Sequence, residues 1–506
     1  MVLEALRGLA FLVRDSVSFT TPDAVTSPLA PVSNTPVETP KGIAPDDEVM
    51  VSLYASAKKI YPRAVKGLFS NWRWATVWLT QIVFYGLPWL QWNGRQAVLF
   101  DLDARRFFIG GLVLYPQDFI YLTGLLVIAA LALFLFTAVA GRLWCGYACP
   151  QTVYTEIFLS IEKKVEGDRS ARIRLDGAAF SGQKLGKKWL KHSLWILFSL
   201  WTGFTFVGYF TPIRGMAAMV MLASFSPWET FWVFFYGFAT YGNAGFMREQ
   251  VCKYMCPYAR FQSAMFDKDT MIVTYDEARG EPRGPRSKKA DPKALNLGSC
   301  VDCSLCVQVC PTGIDIRKGL QYECIGCGAC IDVCDDVMEK VGYAKGLIKY
   351  STQNGMANGW STAQMVKRGL RPRVLVYTGI LMAITTAVMV SLYLRTPLKV
   401  DVIRDRGALA RMVEQGRIEN VFRLQIMNAT ELPQTYAIKV SGLDNIEIAS
   451  ESLITVLPTE VRSAVLRVQI PPNSAEPGSH TIHFDVRSSG SDVSQVSEKA
   501  AFVVPR

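Results

Sequence analysis

Twelve cysteines, all between Cys145 and Cys334, dominate the chemistry open to this 506-residue sequence. Residues 300–311 read C-V-D-C-S-L-C-V-Q-V-C-P, and residues 324–335 read C-I-G-C-G-A-C-I-D-V-C-D. Each is C-x2-C-x2-C-x3-C, and the two runs start 24 residues apart. Three closely spaced thiolates wrap one face of a cubane iron–sulfur cluster, and the fourth ligand comes from the other run, because one short loop cannot enclose four irons. The spacing therefore gives Cys300, Cys303, Cys306 and Cys334 to one [4Fe–4S] cluster, and Cys324, Cys327, Cys330 and Cys310 to a second. Zinc is the competing reading, but it favours separated pairs rather than four cysteines in so short a run, twice. Gly326, Gly328 and Ala329 suit a loop pressed against a cluster. Cys334 precedes Asp335, whereas Cys310 precedes a proline, so the turn after the second run is expected to differ in shape.

This is the signature of a bacterial-type two-cluster ferredoxin, which moves one electron at a time over potentials of about −700 to +450 mV. The motif leaves the direction of flow open. The other four cysteines form a repeat: Cys145-Gly-Tyr-Ala-Cys149-Pro150 matches Cys252-Lys-Tyr-Met-Cys256-Pro257, and the aromatic match extends to Tyr154 and Phe261. Two duplicated hairpins would bring both C-x3-C-P motifs together. Helical i, i+4 spacing puts each pair on one face, while the following proline disfavours helix at Cys149 and Cys256 and predicts a break there. Four convergent thiols suit Cu(I), zinc or iron–sulfur, or a thiol–disulfide relay; buried packing is the plainer alternative.

The elements that must position these residues follow from the apolar runs. A lipid-spanning helix needs about 20 apolar residues. Trp74–Trp92, Phe119–Ala140, Leu194–Phe210 and Val374–Leu394 approach that length, and the aromatic-rich Phe231–Phe246 makes a fifth span. Met216–Phe225 would lengthen that span or form a re-entrant turn. Ten Lys/Arg residues lie from Arg142 to Lys191, against Arg95, Arg105 and Arg106 in the preceding loop and Arg214 alone in the following one. The positive-inside rule then makes the N-terminus, the 141–191 loop and the ferredoxin region cytoplasmic, and the C-terminal region periplasmic. Half the residues are hydrophobic, yet 19% are charged and the net charge is +11. That mixture fits spans alternating with water-soluble parts, and Lys/Arg in cytoplasmic loops rather than a nucleic-acid surface.

Residues 16–48, rich in Ser, Thr, Pro and Asp, read as a disordered tail, with no cleavable signal peptide before them. After residue 396, alternating runs such as Val421–Met427, Ala464–Ile470 and His480–Val486 are separated by turn-rich stretches. They predict an antiparallel β-sandwich. The domain plan is a tail at 1–50, a four-span bundle at 51–260, a ferredoxin domain at 261–372, a fifth helix at 373–395 and a β domain at 396–506. His192, His480 and His483 are the only histidines, and their placement argues against a bis-His haem. Met216, Met219 and Met221 read as core before copper ligands. No flavin, nicotinamide or phosphate-loop motif stands out, so electrons must come from a partner or from quinol.

Taken together, the ferredoxin runs, the two C-x3-C-P hairpins and the terminal β domain resemble the cytochrome c oxidase accessory proteins of the FixG/CcoG/RdxA type. Ile60-Tyr-Pro-Arg-Ala-Val-Lys-Gly67 and Asp401-Val-Ile-Arg-Asp-Arg406 are also similar to that family, over about residues 50–506. The resemblance implies an immunoglobulin-like C-terminal domain and reduction of Cu(II) to Cu(I) during assembly of cbb3-type oxidase. It implies work with a copper transporter or chaperone and with oxidase assembly factors, in a bacterial inner membrane. Copper would be handled at Cys145, Cys149, Cys252 and Cys256. Two other functions fit the residues: a quinol-linked electron conduit of NapH/NosR type, or an assembly scaffold or redox sensor whose β domain docks a partner. A homo-oligomer is also compatible with the sequence.

Overall fold

Helices overlap all five apolar runs, as Leu68–Gly86, Phe119–Ala140, Gly182–Val207, Pro227–Gly242 and Pro372–Tyr393, although the first starts before Trp74 and ends at Gly86, where a 3-10 turn and strand Gln91–Trp92 take over. These are read from a computed structural model that describes residues 59–222, 224–287, 295–405, 410–489 and 494–505. The tail expected at 1–50 lies outside the described residues, as does Arg406. Among the described residues two helices, Pro116–Ala140 and Pro372–Tyr393, are long and apolar enough to cross a membrane. The Met216–Phe225 run does not lengthen the next helix. It forms its own helix, Ile213–Met221, and Ser226 then opens a new one with a capping box closed by Glu229.

The chain divides into two units. The first takes in the described parts of 1–77 with 134–192 and 246–375; the second takes in 78–133, 193–245 and the described parts of 376–506.

In the second unit, Gly124 lies so close to Val388 that an added Cβ would stand 2.8 Å from its Cγ2. An added Cβ on Gly203 would come closer still to the Val233 carbonyl oxygen and would stand 2.9 Å from N of Gly237. Small residues at such crossings let helix backbones approach. The terminal domain is two antiparallel sheets. One runs Glu447–Ile448, Val461–Ile470, Ile418–Asn428 and Leu398–Arg404, with Arg411–Met412 also on Ile418–Asn428; the other runs Leu453–Val456, Gln434–Ser441, Gly478–Ser488 and Gln495–Val504. Inward alternation buries Phe422, Leu466, Val468, Ile482, Phe484 and Phe502 between them.

The second unit also holds strands that the sequence reading takes for a plain loop. Val98–Asp101, Arg106–Ile109 and Leu112–Leu114 form a small antiparallel sheet. Its Leu99, Phe108 and Val113 share a core with Met427 and Ala429 of the β domain. Tyr115 Oη donates to the carbonyl of Asn428 at 2.9 Å.

In the first unit, the 141–191 loop is helical: Leu143–Tyr147, Pro150–Glu166, Arg169–Gly177 and the opening turns of Gly182–Val207. The cysteine-rich part is built on strands Ile272–Tyr275 and Ile348–Ser351, paired antiparallel, with helices Leu305–Val309 and Ala329–Val341 beside them.

Candidate metal centre

The two cysteine runs adopt the same backbone path. Asp302 and Ser304 lie at positive φ (50° and 55°), as do Gly326 and Gly328 (65° and 71°) at the matching positions. Glycine takes that conformation without cost, whereas Asp and Ser take it only where the surroundings hold them. Each loop then enters a short helix that carries the third cysteine, Cys306 or Cys330. The runs differ at their ends. Cys310 is extended at the close of its helix, before Pro311. Cys334 lies inside Ala329–Val341, so the turn expected after it is helix instead. Without a proline nothing stops the helix there, and Asp335 accepts from the backbone N–H of Gly346 at 2.8 Å.

Two cavities result. Cys300, Cys303, Cys306 and Cys334 line one. Cys310, Cys324, Cys327 and Cys330 line the other, with Cys306 on the shared wall. Apart from Tyr275, Ser304 and Arg317 in the first, the walls are otherwise apolar, including Val273, Ile316, Met338 and Leu347. Burial pushes the Cys306 thiol up to about 11 and those of Cys324 and Cys334 up to about 12. Thiols in such surroundings ionise only when a metal takes the place of the proton. Among the described residues no three His, Cys, Asp or Glu side chains converge on a single ion. Cysteines spread round a cavity wall fit a polynuclear cluster, in which each thiolate meets its own iron.

The C-x3-C-P motifs break where the prolines require. Cys145 lies in the helix Leu143–Tyr147, and Cys149 is extended (ψ 128°) and caps the helix that Pro150 opens. Cys252 lies in a π-helical turn, Val251–Met255, and Cys256 is extended (ψ 107°) before Pro257. Proline at the first helical position is pre-organised for this role. The repeats exchange contacts. Cys145 Sγ donates to Oε1 of Gln262 at 3.1 Å, and Gln151 Nε2 donates to the carbonyl of Arg248 at 3.1 Å. The Cys145, Cys149 and Cys252 thiols are each raised, first by burial and then by neighbouring thiols, with Cys256 among the neighbours in every case. The four sulfurs thus lie within electrostatic reach of one another.

The first motif packs directly on the ferredoxin loop. A Cβ on Gly146 would stand 2.8 Å from the carbonyl oxygen of Ile325 and 2.9 Å from Cα of Cys327. Cys145 joins the apolar cluster of Val309, Ile325, Cys327 and Ala329, beside Cys330. Tyr350 Oη donates to the carbonyl of Gly326 at 2.5 Å. Asp332, on the cysteine-bearing helix, accepts from the N–H groups of Phe69 (3.2 Å) and Ser70 (2.7 Å), and so caps the helix Leu68–Gly86 from another element. Gly67, the last residue of the Ile60–Gly67 stretch, leaves room for that carboxylate.

Arg142, Gln262 and Asp332 do not stand out in the sequence. Arg142 counts there as one of ten loop cations, and an Asp between cluster cysteines has no pattern of its own. The signal for Arg142 is its place: a charge three residues before a cysteine, at the end of an apolar run. His192, expected at a helix start, stacks on Phe246 with ring centres 6.0 Å apart. His480 and His483 lie on strand Gly478–Ser488, away from every cysteine in the chain order.

A two-cavity cysteine unit of this form defines an iron–sulfur electron-transfer protein. Comparison with known families agrees: residues 247–353 match a 4Fe–4S dicluster domain, residues 122–166 a 4Fe–4S binding domain, and residues 388–505 the IG-like fold at the C-terminal of FixG. The chain is 38% identical over 456 residues to protein RdxB of Cereibacter sphaeroides, covering 88% of this chain and 95% of that one. It is 36% identical to nitrogen fixation protein FixG of Rhizobium meliloti (77% and 80% covered) and 39% identical to protein RdxA of Cereibacter sphaeroides (77% and 84%). The chain belongs to the FixG/RdxA-type family.

Proposed function

We propose that this chain is a membrane-bound cupric reductase that serves assembly of cbb3-type cytochrome c oxidase. Cys300, Cys303, Cys306 and Cys334 would hold one [4Fe–4S] cluster, and Cys310, Cys324, Cys327 and Cys330 the other. Such clusters supply single electrons when bound. Cys145, Cys149, Cys252 and Cys256 would receive Cu(II) as substrate. Each copper takes one electron to become Cu(I), and thiolates favour that product because they are soft ligands. The observation that carries the reading is the shared apolar core of Cys145 with Cys327 and Cys330. It leaves no protein layer between an electron-carrying loop and a four-thiol group.

Five spans, a cytoplasmic ferredoxin unit and a periplasmic β domain complete the proposal. The donor would be a cytoplasmic reductant or quinol, and the partners a copper transporter or chaperone and oxidase assembly factors. Copper enters from the resemblance, not from the geometry. Replacing Cys145, Cys149, Cys252 and Cys256 together by Ser is expected to spare the absorbance of the clusters and abolish Cu(I) formation. Cu(I) formation at the parent rate would sink the assignment.

One observation favours a conduit without copper chemistry of its own. Residues 122–166 match a 4Fe–4S binding domain while containing only Cys145 and Cys149. Four iron ligands would then require Cys252 and Cys256 as well. Iron analysis separates the readings: a third cluster adds four irons per chain, which the quadruple Ser variant would lose.

A further inference from the structure

Arg142 is 4% exposed, so its guanidinium is a buried charge. Among the described residues no carboxylate pairs with it. Its Nε donates to Oε1 of Gln262 at 3.2 Å, and its Nη1 donates to the carbonyl oxygen of Tyr322. Both acceptors are neutral. Gln262 is itself fully buried, and its Oε1 also accepts from Cys145. Its Nε2 donates to Oγ1 of Thr137 at 3.3 Å, which fixes the amide in this orientation. A buried cation held by neutral acceptors alone is costly unless negative charge lies near. What lies near is sulfur on two sides. On one side, Cys145 of the four-cysteine group shares the Gln262 Oε1 acceptor with Arg142 Nε. On the other, the Tyr322 carbonyl that accepts from Nη1 lies two residues before Cys324 of the second cavity. The backbone geometry explains how one side chain reaches both. A Cβ on Gly326 would stand 3.3 Å from the carbonyl carbon of Arg142 and 3.4 Å from N of Leu143, so the two loops touch here.

We propose that Arg142 is the shared counter-charge of two thiolate centres, the second cavity and the four-cysteine group, and couples their charge states to each other. The inference rests on the reading that the cavity cysteines hold clusters; it holds whether copper or iron occupies the other four. Arg142 acts as a positioning residue. Its fixed positive charge stabilises the more negative, reduced state of whatever the Cys324 cavity holds, and it leaves the Cys300 cavity untouched. The guanidinium in the wall of that cavity is that of Arg317, which is neutralised by Asp315 at 2.8 Å and by Asp302. The four-cysteine group therefore communicates with one cavity and not with the other.

The test is an EPR-monitored redox titration of the anaerobically purified holoprotein, with Cys303→Ser and Cys327→Ser used to assign each signal to its cavity. Arg142→Gln is expected to shift the signal of the Cys324 cavity and to leave that of the Cys300 cavity in place. At the potential where the parent centre is half reduced, its reduced-to-oxidised ratio should fall at least tenfold, which is about 59 mV for one electron. Arg142→Lys, which keeps the charge, should restore most of that shift, whereas a purely structural role for the guanidinium fork would leave Lys as impaired as Gln. Should Arg142→Gln fail to take up iron, Arg142→Met and the Lys variant carry the same comparison. A Cys300-cavity signal that moves as far as the Cys324-cavity signal, or a Cys324-cavity signal that does not move, would overturn the proposal. Absence of cluster signals from the parent protein would instead defeat the reading beneath it.

Discussion

At the scale of single residues, one glycine and one carboxylate hold the cysteine loops in register. Gly146 faces the backbone of Ile325 and Cys327, which cannot rotate away as a flexible side chain would. Gly146→Val is therefore expected to destabilise the first unit by about 1–3 kcal/mol and to lower the iron content of the purified protein. A stability and iron content equal to the parent's would show that the seam is looser than described. Asp332 caps a helix that begins more than two hundred residues earlier in the chain. Asp332→Ala should cost about 0.5–2 kcal/mol, the value of an ordinary cap, measured as a lower thermal midpoint. The eight cysteines that line the two cavities were legible because their spacing is itself a pattern. Asp332 was not, because a cap supplied from a distant segment leaves no local pattern. The turn expected after Cys334 failed for a simpler reason: a missing proline removes a stop, and the helix runs on.

At the scale of elements, the charged 141–191 segment shows how a correct count conceals structure. Its Lys and Arg residues read as loop charges, yet Glu162, 1% exposed, is paired with Arg172 and Arg248 at 3.0 Å each and lies 3.6 Å from Lys191. Glu166 is paired with Lys188 and Lys191 at 2.9 Å each. The Arg248 pair ties the helix Pro150–Glu166, whose N-cap is Cys149, to the segment that carries Cys252 and Cys256, and the others tie it to Arg169–Gly177 and Gly182–Val207. Burial alone would raise the Glu162 carboxyl, but Arg248, Arg172 and Lys191 outweigh it and hold it below the ordinary value of 4.5. Its contribution to stability is thus fully present above that pH and is lost as pH falls through the lowered native value. Glu162→Gln should flatten this part of the acid-stability curve. At neutral pH it should cost about 3–5 kcal/mol, because it strands buried cations. An acid profile unchanged by the substitution would refute the assignment.

At the scale of the whole molecule, period-two alternation revealed six strands of the terminal domain, since each has one face in the core, but not the seven-residue Leu398–Arg404. The sheet at 98–114 stayed hidden because its strands are three or four residues long and one of its faces packs on Met427 and Ala429, far away in sequence. The positions of five long helices were legible from apolar runs, but only two pass as spans on length and composition alone. Helix Gly182–Val207 starts in a lysine-rich turn, and Pro227–Gly242 is 16 residues long before π-helical turns extend it. The account as a whole stands on one claim, that electrons held by the cysteine-lined cavities reach copper. The direct test adds Cu(II) to anaerobic, dithionite-reduced and desalted protein in the presence of a Cu(I)-specific chromogenic chelator. The account predicts that the reduced-cluster EPR signal disappears as Cu(I) forms, one electron for each copper. Clusters that stay reduced while Cu(II) is present would contradict it.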